Sequence, residues 1–226
     1  MGRSVLFTLI FALIGFIASS AAPAGETMTA PPDDPDPGAR YLFYLHGRFV
    51  EDRGTGEEYR YDAIVEALAD KGFVVISEAR PPVRMKPYAT KLARQLRSLL
   101  RAGVPPRNIT VAGHSKGGVL SLLASAIIPA RHVRYAILAA CGRPNSSFSQ
   151  PYRRLIDRVG ERIKGRFLIM WEQGDRDAGD CDELMKVAGV PYRNLELTVG
   201  GGHRLFYEPE ASWIDPLVAF ARRETD

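Results

Sequence analysis

Ile109-Thr110-Val111-Ala112-Gly113-His114-Ser115-Lys116-Gly117-Gly118 is the stretch on which the reading of this chain turns. Residues 109–112 form a short apolar run, which predicts a buried strand. Val119, Leu120, Leu123 and Ile127 then mark one face of a helix that Pro129 ends. Between strand and helix stands Gly-x-Ser-x-Gly. A sharp strand-to-helix turn strains the serine backbone and crowds its neighbours, so small residues flank it. The Ser115 hydroxyl is left projecting from the top of a sheet. The N–H of Lys116 opens the helix, where the helix dipole favours a developing negative charge.

Working outward from that turn, the same alternation recurs. Residues 41–45, 73–76, 135–140, 167–171 and 195–199 read as five more short strands. Tyr61, Ile64, Val65 and Leu68 share one helical face, as do Leu92, Leu96, Leu99 and Leu100. Residues 151–163 are predicted helical, and Trp213, Ile214, Leu217, Val218 and Ala221 mark a last helix. Strands of this length alternating with helices predict an α/β fold. Its core is a doubly wound, mostly parallel six-stranded sheet with helices on both faces. Ligands in such sheets bind at the carboxyl ends of the strands, where the winding direction switches.

The N-terminus has a different composition. Arg3 is the only charge before an apolar stretch from Val5 to Ala18, interrupted only by Thr8, and Ser19 to Ala24 are small residues apart from Pro23. This is the layout of a signal peptide over residues 1–24, cleaved after Ala22 or Ala24, with no stable membrane span afterwards. The expectation is a secreted or periplasmic protein. Residues 25–39 are rich in proline and read as an extended linker. The folded domain is then 40–226. The 226-residue chain is 46% hydrophobic and 25% charged, an ordinary globular balance. Its net charge of +4 comes from scattered arginines without a basic run or aromatic platform, which argues against nucleic acid as a partner.

A serine nucleophile needs a base, and the base needs an acid to orient it. Of four histidines, His132 precedes a strand and so lies at the wrong end of the sheet. His114 adjoins Ser115 and points away from the hydroxyl, and His46 reads as a structural residue of the first loop. His203 remains, after Gly200-Gly201-Gly202 and directly beyond the last strand. For the acid, Glu172-Gln173-Gly174-Asp175-Arg176-Asp177 follows the fifth strand. Asp175 is the first choice, with Asp177 and Glu172 as alternatives. Two cysteines are too few for a disulfide scaffold, and no His/Cys cluster suggests a metal, so no cofactor is expected. Cys141 follows the fourth strand and Cys181 lies ten residues after Trp171 at the end of the fifth; if those strands are neighbours both sulfurs lie at the top of the sheet, and an exported chain meets oxidising conditions. A Cys141–Cys181 disulfide is therefore expected.

With the elbow at Ser115 and the order serine, acid, histidine, residues 41–223 resemble the α/β-hydrolase family. The resemblance implies an ester-cleaving enzyme working on a small-molecule substrate through Ser115, His203 and Asp175. It also implies that His46-Gly47 lends a second oxyanion donor, the backbone N–H of Arg48, beside that of Lys116. Charged side chains at Arg48 and Lys116 would favour an anionic substrate if they faced the site. The family's strand order would insert the first strand between the second and third, putting the switch point beside Ser115. Two departures stand out. No pair of antiparallel strands opens the domain, and residues 142–165 are too few for a full lid.

Overall fold

The computed structural model describes residues 25–223; the signal-peptide expectation for residues 1–24 falls outside the described residues. The strands are β1 (Thr27–Met28), β2 (Tyr41–Leu45), β3 (Val74–Ser77), β4 (Ile109–His114), β5 (Arg134–Leu138), β6 (Cys141–Gly142), β7 (Arg166–Glu172), β8 (Ala178–Gly179) and β9 (Tyr192–Leu197). The helices are α1 (Arg48–Arg53), α2 (Tyr61–Ala69), α3 (Met85–Arg101), α4 (Lys116–Ser125), α5 (Ser149–Val159), α6 (Asp182–Ala188) and α7 (Ala211–Arg222).

Seven strands form one parallel sheet in the order β1-β3-β2-β4-β5-β7-β9. The strand at Tyr41 lies between those at Val74 and Ile109, as the family resemblance implies. From β2 the winding runs one way to β3 and the other way to β4, so the switch falls where β2 and β4 end, beside Ser115.

The period-two pattern of the strands sorts side chains to two cores. Tyr41, Phe43, Leu45, Val111, Tyr135, Ile137, Phe167 and Ile169 face one layer, with α3, α4, α5 and α6 residues such as Leu96, Leu120, Ile156 and Leu184. Leu42, Tyr44, Ala136, Leu138, Leu168 and Met170 face the other, with Leu68 of α2 and Trp213 of α7. All five residues of β2 are buried, which is why its sequence is continuously apolar. Each such Leu, Ile or Phe contributes about 1.5–3 kcal/mol by leaving water.

The count of six strands needs correction, as does the linker at residues 25–39. Thr27 and Met28 pair in parallel with Val75 and Ile76 and form a seventh strand. They precede Pro31, keep their N–H groups and cover the otherwise open edge of β3, whose Val75 N–H donates to Glu26 O at 2.7 Å. Beyond them, Pro35 is buried, and Asn108 Nδ2 donates to Pro37 O at 3.2 Å. The segment is laid along the domain. The last strand runs over Tyr192–Leu197, earlier than the run at 195–199, because its partner β7 pairs Phe167 with Tyr192. Among the described residues, no helix is long and apolar enough to cross a membrane.

Candidate active site

Ser115 sits at φ 52° and ψ −117°, between the end of β4 and the start of α4. A non-glycine residue held there costs about 1–3 kcal/mol, and the packing around it shows what holds it. A Cβ added at Gly117 would lie 2.1 Å from Leu45 O, so the first turn of α4 is pressed onto the end of β2. Ser115 N–H donates to Leu138 O at 2.8 Å, tying the turn to β5. Lys116 is the first residue of α4, where N–H groups have no partner within the helix.

The His46-Gly47 loop meets this turn from β2. A Cβ at Gly47 would stand 3.5 Å from Ser115 Cβ, which places the loop beside the serine. Gly47 caps α1, and Arg48 is its first residue, so a second unpaired helix N-terminus starts there. His46 holds the loop. Its Nε2 accepts the Arg80 N–H at 2.9 Å, which leaves Nδ1 to donate to Gly47 O at 2.8 Å. Burial, then the Arg80 charge, push the His46 pKa down to about 3, so the ring is neutral.

The Lys116 side chain does not present its charge to this site. Its ammonium bonds the Glu51 carboxylate and donates to Val83 O at 3.0 Å. The other Glu51 oxygen accepts Arg80 Nε at 2.8 Å, and the guanidinium also reaches His46 O. Arg80 and Glu51 are both buried. This cluster bolts α1, the loop after β3 and the start of α4 together. Sequence reasoning missed it, because Glu51, Arg80 and Lys116 are far apart in the chain and each is an ordinary surface residue type.

His203 and Asp175 come together at the other side of the switch. His203 Nδ1 lies 2.7 Å from Asp175 Oδ2. Asp175 Oδ1 accepts the N–H groups of Asp177 at 2.9 Å and Ala178 at 3.0 Å. Burial pushes the Asp175 carboxyl up, but the His203 hydrogen bond and these backbone donors outweigh it and hold the pKa below the usual value. The other two acid candidates are engaged elsewhere. Asp177 Oδ1 accepts the Ser147 hydroxyl at 2.7 Å, and the Glu172 carboxylate accepts backbone N–H groups. With Nδ1 on Asp175, Nε2 is the His203 nitrogen left to take a proton. Among the described residues no hydrogen bond joins it to Ser115 Oγ.

His114 is the unexpected member of the site. Its buried ring lies 4.8 Å from that of His203 and 5.5 Å from that of Phe206, centroid to centroid. Nδ1 is 3.3 Å from the Tyr59 hydroxyl, which in turn meets the Tyr44 hydroxyl at 2.8 Å. Burial, then the neighbouring His203, hold His114 well below the usual histidine pKa.

The Asp175 turn is pinned from outside. Cys141 and Cys181 form a disulfide, as expected from their places after neighbouring strands. Next to it β6 pairs antiparallel with β8, and Arg143 Nε donates to Ala178 O at 2.8 Å. Residues 142–165 supply one α-helix, α5, and Phe148 just before it stands edge-on to the His203 ring at 5.6 Å. Among the described residues, no group of three His, Cys, Asp or Glu side chains is placed to hold a metal ion.

No protein-family model matches the chain, and no curated protein matches it by sequence. Solved structures do match. A putative dienelactone hydrolase from Klebsiella pneumoniae superposes with TM-score 0.56 at 14% identity, covering 85% of this chain and 91% of its own. An arylesterase gives TM-score 0.56 at 13% identity, over 85% of this chain and 76% of its own. A truncated carbohydrate esterase from gut microbiota gives 0.53 at 15%, over 85% and 90%. The chain has the α/β-hydrolase fold, in an open sheet shared with esterases and other hydrolases.

Proposed function

We propose that the protein is an exported serine hydrolase that cleaves a carboxylic ester through an acyl-enzyme. Ser115 Oγ attacks the ester carbonyl while His203 Nε2 takes its proton. Asp175 keeps the proton on His203 Nδ1 and stabilises the imidazolium. The N–H groups of Lys116 and Arg48 receive the oxyanion, each worth about 3 kcal/mol in the transition state. His203 then protonates the departing alkoxide. Water enters, gives up a proton to His203, and attacks the acyl group. His203 returns that proton to Ser115 as the carboxylic acid leaves.

The observation that carries this reading is the pairing of a positive-φ serine at the switch point with an Asp175–His203 hydrogen bond at the neighbouring strand ends. Residues 142–165 hold one α-helix, too little chain for a full lid, which supports small or surface-borne esters over long acyl chains. The disulfide suits an oxidising compartment and so supports export.

The test is labelling with a fluorophosphonate alongside hydrolysis of p-nitrophenyl acetate. Wild-type protein is expected to take the label and release nitrophenol, and Ser115→Ala to do neither. Equal labelling of wild type and Ser115→Ala, or none of either, would sink the proposal. Acid product replaced by a new ester on adding alcohols would move the reading to acyl transfer on the same residues.

A further inference from the structure

Glu172 is the last residue of β7 and is 3% exposed. A carboxylate that deep in a protein needs donors, and here the donors are the backbone of two separate turns. Oε2 accepts the Gly174 N–H at 2.7 Å and the Gly202 N–H at 3.2 Å. Oε1 accepts the Gly200 N–H at 3.1 Å. Gly174 directly precedes Asp175, and Gly202 directly precedes His203.

The glycines explain how amides from one turn can converge on one group. Gly200, Gly201 and Gly202 stand at φ 85°, 92° and 55°, a run of left-handed residues. Successive N–H groups in such a turn point toward a common concavity that suits an anion. The anion in this concavity belongs to the chain itself. The turn also packs closely on the acid loop, since a Cβ at Gly202 would lie 3.5 Å from Gly174 O.

Resting on the hydrolase reading, we propose that Glu172 is a positioning residue for the candidate base. Its carboxylate gathers the triglycine turn and the Gly174 turn onto one anchor, so that His203 and Asp175 meet in register before substrate arrives. No contact of Glu172 with substrate is invoked. A glutamine at this place keeps the size but turns an NH2 group toward backbone N–H donors on one side, so it cannot serve all three.

The experiment compares Glu172→Gln and Glu172→Ala with wild type by kinetics on p-nitrophenyl acetate and by amide hydrogen exchange. Displacing a reacting group by about 1 Å costs about 100-fold, so kcat is expected to fall by about that factor in Glu172→Gln with KM little changed. Exchange at Gly200 and Gly202 should quicken while that of the β4 and β5 amides stays slow. The proposal is overturned if kcat and the Gly200 and Gly202 exchange rates match wild type in both variants. It is also overturned if exchange rises uniformly across the sheet with kcat, which would make Glu172 a determinant of global stability alone. A wild-type protein that hydrolyses no ester would sink the catalytic reading, and the exchange comparison would still decide whether Glu172 orders the turn.

Discussion

Ser147 donates its hydroxyl to Asp177 Oδ1 at 2.7 Å, so the second acidic residue of the loop faces the segment before α5 while the first faces His203. Two aspartates two positions apart are thereby given different work. Asp175→Asn is expected to lower kcat by about 10,000-fold with the fold intact, because the amide favours the wrong imidazole tautomer. Asp177→Asn should lose less than about tenfold, since an amide oxygen still accepts from Ser147. Steady-state kinetics and circular dichroism on the two variants check the contrast.

The Glu51 carboxylate sits between Arg80 and Lys116 with its side chain 1% exposed. Removing it leaves the buried guanidinium without its counter-charge. Glu51→Ala is expected to cost about 3–5 kcal/mol, as for a broken buried pair. Urea unfolding should show the lower midpoint, and Lys116→Met should cost less because its ammonium lies nearer solvent.

The disulfide closes a loop with a sequence separation of 40. On the chain-entropy model it stabilises the fold by about 4 kcal/mol. Cys141→Ala with Cys181→Ala should lower the unfolding midpoint accordingly, measured against oxidised wild type in urea. Activity should fall further than folding alone requires, since the same strap carries the turn of Asp175.

His46 and His114 are buried neutral histidines with lowered pKa values. In the window from 6.5 down to about 3 for His46, the unfolded chain takes up a proton that the folded chain refuses. Stability therefore drops as pH falls through that range, by at most about 1.4 kcal/mol per pH unit for His46, and His114 adds to the loss in the same direction. The Asp175 carboxyl, held low in the fold, adds a further loss below its ordinary value of 3.8. Urea titrations at neutral and mildly acidic pH check the slope, and His46→Gln should flatten it.

The strand–turn–helix around Ser115, the two-sided sheet and the candidacy of Asp175 and His203 were legible because they rest on local pattern. Strands buried on both faces need continuous apolar runs, and the elbow needs glycines at fixed offsets from the serine. The acid alternatives Asp177 and Glu172 could not be separated from Asp175 along the chain. Glu172 ends β7 and the two aspartates follow within five residues, and only the course of the turn decides which oxygen meets His203. The strand at Thr27 and Met28 was hidden because two residues carry no periodicity, and its reason for existing is the open edge of β3.

The sequence by itself determined the strand–helix alternation and the place of the candidate site, since hydrophobic periodicity and turn chemistry are local and survive in one dimension. Tertiary structure alone decided which charges are spent inside. Glu51 balances Arg80 and Lys116, Glu172 collects three backbone N–H groups, and His114 stays neutral beside His203. The physical reason is that a side chain's electrostatic role depends on which distant groups share its low-dielectric surroundings, and folding alone brings those groups together.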